Sequence, residues 1–458
     1  MSDTAQAYDR RRMLTGTPWK EVLIFSGPIM IGYLLQILYG TADMIILGHE
    51  VGPDSLAAIG SATTLMTLFT CLSWGLSAGS NAVMARYNGA DDENRLRNSA
   101  MTSLLVSMIT GAAVTVLSLI LCEPILRYVM GVPEDIMGMA CEYCWIYALG
   151  FVSMFGYNAV ASMLRSVGDC RSVLYVLAAT SGMNLVLDVL FIMVLDMGVI
   201  GAASTTVICQ VVSLIASYAI MTHRFELFSF RRTDVRIHHE HLREIVDAGM
   251  TMALQQAIIY GSMVILQQAV NSYGTDMMAS FAVERRLETF FRLPISAIAS
   301  GTVTFAGMHY GAKMVDRLSK GVRQLLAASL LMTIAMSVIC IVSAGPLVSV
   351  FNLSGTPYDY CVEHTRVALL LFPMFALYFP ILSVFQGMGR PRLSAAIVVL
   401  ELVIRIVCIY SLGGDGPFGY TIIWWNMLFG WAIAMVITFI LYRRVMMKAE
   451  NETTETAT

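Results

Sequence analysis

The chain has 458 residues, of which 57% are hydrophobic and 13% are charged. Soluble domains carry about a quarter charged residues, so this composition excludes a soluble globular protein and indicates a polytopic membrane protein. The net charge of -3 at pH 7 is averaged over two sides of a membrane, and it gives no reason to expect a nucleic-acid partner.

Apolar segments between charged or Gly/Pro-rich breaks predict an all-α fold with twelve transmembrane helices. In chain order the predicted spans are 21–47, 56–85, 98–121, 138–163, 172–194, 199–221, 245–270, 276–307, 322–344, 363–387, 393–412 and 418–442. Placing both termini in the cytoplasm puts 23 of the 29 Lys and Arg residues on the cytoplasmic side and leaves only Arg127 in an outer loop. Because Lys and Arg collect in cytoplasmic loops, we expect both termini to be cytoplasmic.

The longest polar stretch, 222–244, separates the spans six and six. It predicts a cytoplasmic N-terminal segment (1–20), two six-helix lobes (21–221 and 245–442) joined by this linker, and a disordered cytoplasmic tail (443–458). A shift of 222 positions superposes Gly27 on Gly249 and Gly79 on Gly301, and it aligns NGADDENRLRN with YGAKMVDRLSK as one inner loop present twice. Since six is even, we expect the lobes to be related by a pseudo-two-fold axis along the membrane normal, with a cleft between them.

Two aspartates lie within almost wholly apolar stretches of the N-terminal predicted spans. Asp43 is in ILYGTADMIILGHE (37–50) and Asp188 is in MNLVLDVLFIM (183–193). A buried carboxylate is costly unless it is protonated, paired or bound to a cation, and each of these outcomes can couple to ion movement. Asn184 precedes Asp188 by four residues, so the two side chains share a helix face.

Distances along the chain place Asp43, Asp188 and Thr206 at a similar depth, about 13 Å below the outer turns. With Asn184, these oxygen-bearing side chains predict a site for a hard cation or a shared proton in the N-terminal lobe. The alternative is that Asn184 and Thr206 only hydrogen-bond neighbouring helices and that each Asp caps a local break. The mirrored positions are Ile265 and the vicinity of Ile409, so the repeat does not duplicate the site.

A second set of charges lies in the C-terminal lobe, in SFAVERRLETFFRLP (280–294). Glu288 and Arg292 are four residues apart on one helix face, as are Glu401 and Arg405 further along the chain. Glu284 and Arg285 belong to the same cluster, and all of these charges are interpreted as buried groups that neutralise one another, with contact to substrate as the alternative. The candidates for a substrate cavity are Tyr33, Tyr39, Glu284, Arg286 and Glu288, the tyrosines because a flat cation binds to ring faces.

Enzyme motifs are missing from the sequence. We find no Walker loop, no HExxH motif, no Ser/His/Asp arrangement in a loop and no soluble domain, so the hypothesis of a membrane enzyme or signalling protein lacks support and we expect no cofactor.

The pattern as a whole resembles the multidrug and toxic compound extrusion (MATE) family, over about 430 residues. The resemblance is carried by GHEVGPDSLAAIG, the doubled GA loop, MLRSVGDCRS and NLVLDVLFIMVLDMGVIGAASTT. The NLVLD and TADM patterns are most similar to the DinF-like branch. There the resemblance implies a cation site at Asp43, Asn184, Asp188 and Thr206, and an Arg-x-Glu pattern matched by Arg286 and Glu288, with Glu284 and Arg285 as additions.

The resemblance implies a secondary active antiporter that exports organic, cationic or amphiphilic compounds in exchange for H⁺ or Na⁺. We expect a multi-pass monomer in the cytoplasmic membrane, with Na⁺ at the four predicted residues if sodium is the coupling ion. The competing hypothesis is a flippase for a lipid-linked oligosaccharide on a related bundle, for which we expect a cationic cavity and further helices, and neither is evident in the sequence. The sequence does not identify the substrate or decide between H⁺ and Na⁺.

Overall fold

The computed structural model describes residues 12–50, 53–230, 236–414 and 416–455, and within these ranges the chain is helical and has no strand. The helices are α1 (Pro18–Glu50), α2 (Pro53–Gly89), α3 (Glu93–Pro124), α4 (Glu134–Leu149), α5 (Phe151–Ser166), α6 (Cys170–Asp188), α7 (Gly198–Arg224), α8 (His239–Asn271), α9 (Thr275–Gly311), α10 (Val315–Val342), α11 (Ala344–Ser349), α12 (Thr356–Gly387), α13 (Pro391–Leu412) and α14 (Ile422–Glu455).

Most of these helices can cross a membrane. Ten described helices are long and apolar enough, or eleven if the bent pair α4 and α5 forms one span. The 37-residue helix α9 is not among them. Its middle carries the charged residues of the 280–294 segment, which lower its hydropathy. The all-α polytopic class is confirmed, while the count of twelve spans stays a prediction.

The internal repeat is visible in the helix boundaries. Helices α2 and α9 both have 37 residues, and α9 begins 222 positions after α2. Helices α1 and α8 both have 33 residues. In the doubled inner loop, Asp91 and Lys313 have positive φ angles of 58° and 56°. Equivalent positions therefore share an uncommon backbone conformation, as expected of a duplicated unit.

The fourth predicted span, 138–163, is two helices. Helices α4 and α5 are bent by 45° at a short break, and Gly150 lies between them. A Cβ at Gly150 would come within 2.0 Å of the Gln210 side-chain oxygen. That oxygen is the end of a flexible side chain on α7, so the contact shows that Gln210 reaches the bend and does not by itself require glycine there.

The tail expected to be disordered from residue 443 is helical as far as Glu455. Met446 and Ala449 are buried, and Lys448 pairs with Glu452 at 3.9 Å one turn later. Good helix formers and a buried face explain why α14 continues beyond the apolar segment. Three predicted segments lie partly beyond the described residues. The structure does not describe 1–11 of the N-terminal segment 1–20, 231–235 of the linker 222–244, or 456–458 of the tail 443–458.

Contacts divide the chain into two compact units. The N-terminal unit holds the described residues from 27 to 254, and the C-terminal unit holds those up to 26 together with those from 255 onward. Both boundaries lie inside helices, α1 and α8, whereas the predicted lobes follow chain order. Within the N-terminal unit, a Cβ on Gly79 would lie 2.4 Å from the backbone nitrogen of Gly249, so α8 begins in tight contact with α2.

The surfaces of both units are apolar and some of their helix contacts are polar. Ile120, Leu331 and Val342 are more than half exposed, as expected for side chains in contact with lipid. The buried hydroxyl of Ser103 on α3 donates a hydrogen bond of 2.7 Å to Ser80 on α2. Small residues and interhelical hydroxyl bonds are typical of helix packing in membranes.

Candidate functional site: a carboxylate pair in the N-terminal unit

Helix α6 brings Asn184 and Asp188 to one buried face. Asn184 is 5% exposed and Asp188 is 1% exposed. Asp188 is the last residue of α6, and a π-helical turn follows directly at Val189–Val194. Turns of this kind are frequent at functional sites because they change the direction of the side chains on a helix. The sequence thus presents a buried carboxylate at a break in helical geometry.

Asp188 is only partly satisfied by its neighbours. The hydroxyl of Thr205 on α7 donates a short hydrogen bond to Oδ1 of Asp188. Oδ2 of Asp188 and Oδ1 of Asp43 are buried and have no hydrogen-bond partner among the described residues. A buried polar oxygen without a partner carries the full cost of its lost hydration, so both oxygens are ready to accept a proton or a cation.

Asp43 and Asp188 lie close enough for their carboxyl groups to interact directly. Tyr39, one turn earlier on α1, is also an electrostatic neighbour of Asp43. Two carboxylates that share a poorly hydrated site repel each other unless a positive charge is held between them. This geometry can therefore bind a single proton or a small hard cation. Among the described residues, no cluster of three His, Cys, Asp or Glu side chains could hold a metal, so a bound cation would also need oxygens from other residue types.

A polar cavity of about 210 Å³ lies beside this pair. We call it the N-terminal cavity. Its wall has no Asp, Glu, Lys or Arg among the described residues, and aromatic and amide side chains dominate it. The lining residues include Gln36, Tyr39, Trp74, Tyr147, Tyr157, Asn158, Asn184, Thr206, Cys209 and Gln210.

The site residues predicted in the N-terminal lobe lie in three different places. Asp43 and Asp188 contact each other, while Asn184, Thr206 and Tyr39 line the N-terminal cavity. Thr206 donates its hydroxyl to the carbonyl of Ala202 at 3.1 Å, one turn back in its own helix. Tyr33 does not line this cavity but an adjoining smaller one of about 60 Å³, which shares Gln36 and Tyr157 with it and is also lined by Arg165.

Sequence reasoning missed two residues at the carboxylate pair. Thr205 contacts Asp188 directly, and Cys209, one turn further along α7, is an electrostatic neighbour of both carboxylates. The depth of Thr205 differs from that of Thr206 by only about 1.5 Å. Depth could therefore locate the site, but only the rotation of α7 about its axis decided which threonine points at Asp188.

The C-terminal unit contains both ion pairs expected from the four-residue spacing. Arg292 lies 3.1 Å from Glu288 on α9, and Arg405 lies 3.6 Å from Glu401 on α13. Glu401 also accepts hydrogen bonds from Tyr378 at 2.9 Å and from the Trp431 indole at 3.1 Å. Glu401 is buried and the other three charges are partly buried, and all four are paired, as charges removed from water require.

Glu284 and Arg286 occupy different environments on the same helix. Glu284 is 1% exposed and its Oε2 lies 3.7 Å from Nδ1 of the buried His364 on α12. Arg286 is exposed. Of the predicted cavity residues on α9, only Glu288 lines the cavity found in this unit, and the arginine that lines it with Glu288 is Arg285.

A family model named MatE matches residues 28–190 and 251–411, which together make up more than half of the chain. Among curated relatives, the chain is 28% identical to the probable multidrug resistance protein YpnP of Bacillus subtilis, over 67% of either chain. It is 22% identical to the multidrug export protein MepA of Staphylococcus saprophyticus, over 93% of this chain and 95% of the relative.

Solved structures agree with this match. A MOP superfamily transporter from Pyrococcus furiosus is 25% identical, with a TM-score of 0.88 over 96% of this chain and 98% of that one. A MATE crystal structure in the bent conformation has a TM-score of 0.90 at 23% identity, over 99% of this chain and 100% of that one. The family match covers both halves of the repeat and the span of each carboxylate, and the chain therefore belongs to the MatE family of transporters.

Proposed function

We propose that this protein is a secondary active multidrug efflux antiporter whose coupling site is the Asp43–Asp188 pair. It exports organic compounds, cationic or amphiphilic in character, in exchange for H⁺ or Na⁺. We place it in the cytoplasmic membrane as a monomer, with both termini in the cytoplasm and without a resident cofactor. Membership of the MatE family supports the antiporter class, and the geometry of the N-terminal unit supports the coupling site.

The observation that carries the proposal is the direct contact of two carboxyl groups on α1 and α6. Each group has a buried oxygen without a hydrogen-bond partner among the described residues. Repulsion between the two groups is relieved by one proton or one Na⁺. Asn184 and Thr206, on the adjacent cavity wall, are the candidates for additional oxygen ligands of a sodium ion.

Occupancy of this pair must change substrate affinity for transport to be coupled. A ligand shifts a conformational equilibrium only through a difference in its affinity for the two states. When the pair holds no cation, α1 and α6 repel each other at Asp43 and Asp188. When a cation is bound, the two helices attract it from both sides and pack more closely. The N-terminal cavity lies against this pair, so its shape changes with occupancy.

The N-terminal cavity is suited to the flat part of an organic substrate. Its volume of about 210 Å³ exceeds the roughly 150 Å³ that holds a benzene ring in an engineered protein cavity. Tyr39, Tyr147 and Trp74 line it, and ring faces attract organic cations. Its neutral wall adds no specific counter-charge, which favours breadth of substrates over selectivity.

Transport in inverted membrane vesicles tests the proposal. Accumulation of ethidium is followed by fluorescence under an imposed H⁺ gradient alone and under an imposed Na⁺ gradient alone. Asp43→Asn and Asp188→Asn should each abolish accumulation under the gradient that drives the parent protein. Asp54→Asn removes an exposed carboxylate at the start of α2 and should leave accumulation unchanged. Near-parental accumulation in both Asp43→Asn and Asp188→Asn would place the coupling site elsewhere.

A further inference from the structure

The C-terminal unit has a cavity of its own with charged walls. We call it the C-terminal cavity. It has a volume of about 70 Å³ and lies between helices α8, α9, α12, α13 and α14. Three arginines and two glutamates line it, together with aromatic side chains. The charged residues are Arg285, Arg292, Arg405, Glu288 and Glu401.

Two of the three arginines are balanced by carboxylates. Arg292 pairs with Glu288 at 3.1 Å. Arg405 pairs with Glu401 at 3.6 Å and donates a hydrogen bond of 2.7 Å to Asn426. These pairs contribute no net charge to the cavity wall.

Arg285 is the third arginine, and it has no carboxylate within 4.0 Å among the described residues. Its guanidinium lies 3.0 Å from the sulfur of Met263 and 5.9 Å from the centre of the Phe281 ring. A thioether is a weak acceptor, and one aromatic face attracts a cation only modestly. Among the described residues, the five donor groups of Arg285 are therefore left with soft, neutral contacts, and an arginine in that position favours an anion.

The remaining acid of this region, Glu284, is an electrostatic neighbour of Arg285 but makes no ion pair with it within 4.0 Å. Consecutive residues on a helix point about 100° apart, and Glu284 instead faces His364 at 3.7 Å. The His364 ring is stacked against Phe281 and lies beside Trp424. A fully buried site tolerates little net charge, so the carboxyl and the imidazole share one proton and are neutral as a pair. Wherever that proton lies, the positive charge of Arg285 is left over.

We propose that the C-terminal cavity binds the anionic group of an amphiphilic molecule, a carboxylate, sulfonate or phosphate, with Arg285 as its charge partner. Guanidinium groups bind such oxyanions through two parallel hydrogen bonds. The enclosed space of about 70 Å³ is too small for a whole drug-sized molecule, so it holds the charged head, and the apolar remainder extends from the open side of the cavity. Binding of an anion at Arg285 does not depend on the proposed function. Its biological role, recognition of an acidic substrate or lipid, rests on the proposed efflux function.

The test is a binding measurement on the full-length purified protein. Benzoate and benzamide have nearly the same size and ring, and they differ in charge. Isothermal titration calorimetry should show benzoate binding at least tenfold more tightly than benzamide. Arg285→Gln should lower benzoate affinity at least tenfold. Arg286→Gln removes the exposed neighbouring arginine and should leave it unchanged. Trp431 in the cavity wall supplies a fluorescence signal for the same titration.

Two outcomes would overturn the proposal. One is equal affinity for benzoate and benzamide in the unmodified protein, a comparison that holds even if Arg285→Gln folds poorly. The other is an equal loss of benzoate affinity in Arg285→Gln and Arg286→Gln. Asp188→Asn separates this inference from the proposed function, since it should lose gradient-driven efflux and keep benzoate affinity.

Lipid nanodiscs distinguish the two sources of the anionic group. If lipid headgroups occupy the cavity, benzoate affinity should be several-fold weaker in phosphatidylglycerol nanodiscs than in phosphatidylcholine nanodiscs. If the ligand is a free organic acid, benzoate affinity should be equal in both. Either result supports an anion site at Arg285, whereas no benzoate binding in either kind of nanodisc contradicts it.

Discussion

The hydroxyl of Thr205 contacts both the carboxylate of Asp188 and the carbonyl of Ala202, whereas the hydroxyl of the next residue, Thr206, contacts the carbonyl of Ala202 and not Asp188. The two threonines are adjacent in sequence and nearly equal in depth. Only Thr205 is fully buried. Their contrast provides a matched pair of positions at the proposed coupling site.

Thr205→Val should weaken binding of the coupling ion, because it removes the hydroxyl that contacts Asp188 and keeps the side-chain volume. A hydrogen bond to a charged group contributes about 1.5–3 kcal/mol, which corresponds to roughly tenfold or more in the half-saturating Na⁺ or H⁺ concentration. The measurement is initial transport rate against ion concentration. Thr206→Val should shift it less, and a larger effect of Thr206→Val would identify Thr206 as the ligand and Thr205 as a packing residue.

Gly79 and Gly249 lie at a tight contact between α2 and α8, so we expect a larger side chain at Gly79 to destabilise the protein. A Cβ on Gly79 would lie 2.4 Å from the backbone of Gly249 and 2.8 Å from that of Ala248, so Gly79→Ala forces α2 and α8 apart. Overpacking of this kind costs about 1–3 kcal/mol, and the melting temperature in detergent should fall by several degrees. Gly60, on the same helix α2, has open space where a Cβ would lie. Gly60→Ala should leave the melting temperature unchanged or raise it, and equal losses would refute the steric explanation.

Exchanging the two charges of the Glu288–Arg292 pair should restore folding that is lost when either charge is removed. Both side chains are partly exposed, so removing one member leaves the other charge without its partner at a cost below the roughly 3–5 kcal/mol of a fully buried pair. Glu288→Gln and Arg292→Met should therefore each lower the yield of folded protein, measured by size-exclusion chromatography in detergent. The double variant Glu288→Arg/Arg292→Glu should recover part of it. Normal yield in the single variants with a changed range of exported drugs would show that the pair contacts substrate.

The predicted topology is tested by chemical labelling. In a cysteine-free background, single cysteines at Asp54 and Met197 should react with an impermeant maleimide added outside intact cells. Cysteines at Asp92 and Asp316 should react only after the membrane is opened. We also expect a cysteine at 415 to be labelled from outside the cell and one at 235 to be protected, but both positions lie beyond the described residues. The opposite pattern at either pair would reverse the orientation and move Asp43 to the cytoplasmic half of its helix.

The sequence by itself determined that the chain lies in a lipid bilayer, that it is all-α and that it contains an internal repeat. It also identified Asp43 and Asp188 as the two carboxylates of the candidate site. Each depends on quantities that are local along the chain. Span length follows from a fixed rise of about 1.5 Å per residue. The duplicated loop is readable because a shift of 222 preserves glycines such as Gly79 and Gly301. A lone Asp in an apolar run is conspicuous because burying a charge is costly.

Tertiary structure decided which side chains meet, because the rotation and bending of each helix depend on packing against partners distant in sequence. A spacing of four residues predicted the pairing of Glu288 with Arg292, since both lie on one helix. It could not predict that Glu284 faces His364 from another helix, 80 positions away. Arg285 turns to the C-terminal cavity and Arg286 away from it because adjacent residues point about 100° apart. For the same reason, only the folded chain selected Thr205 over Thr206 as the partner of Asp188.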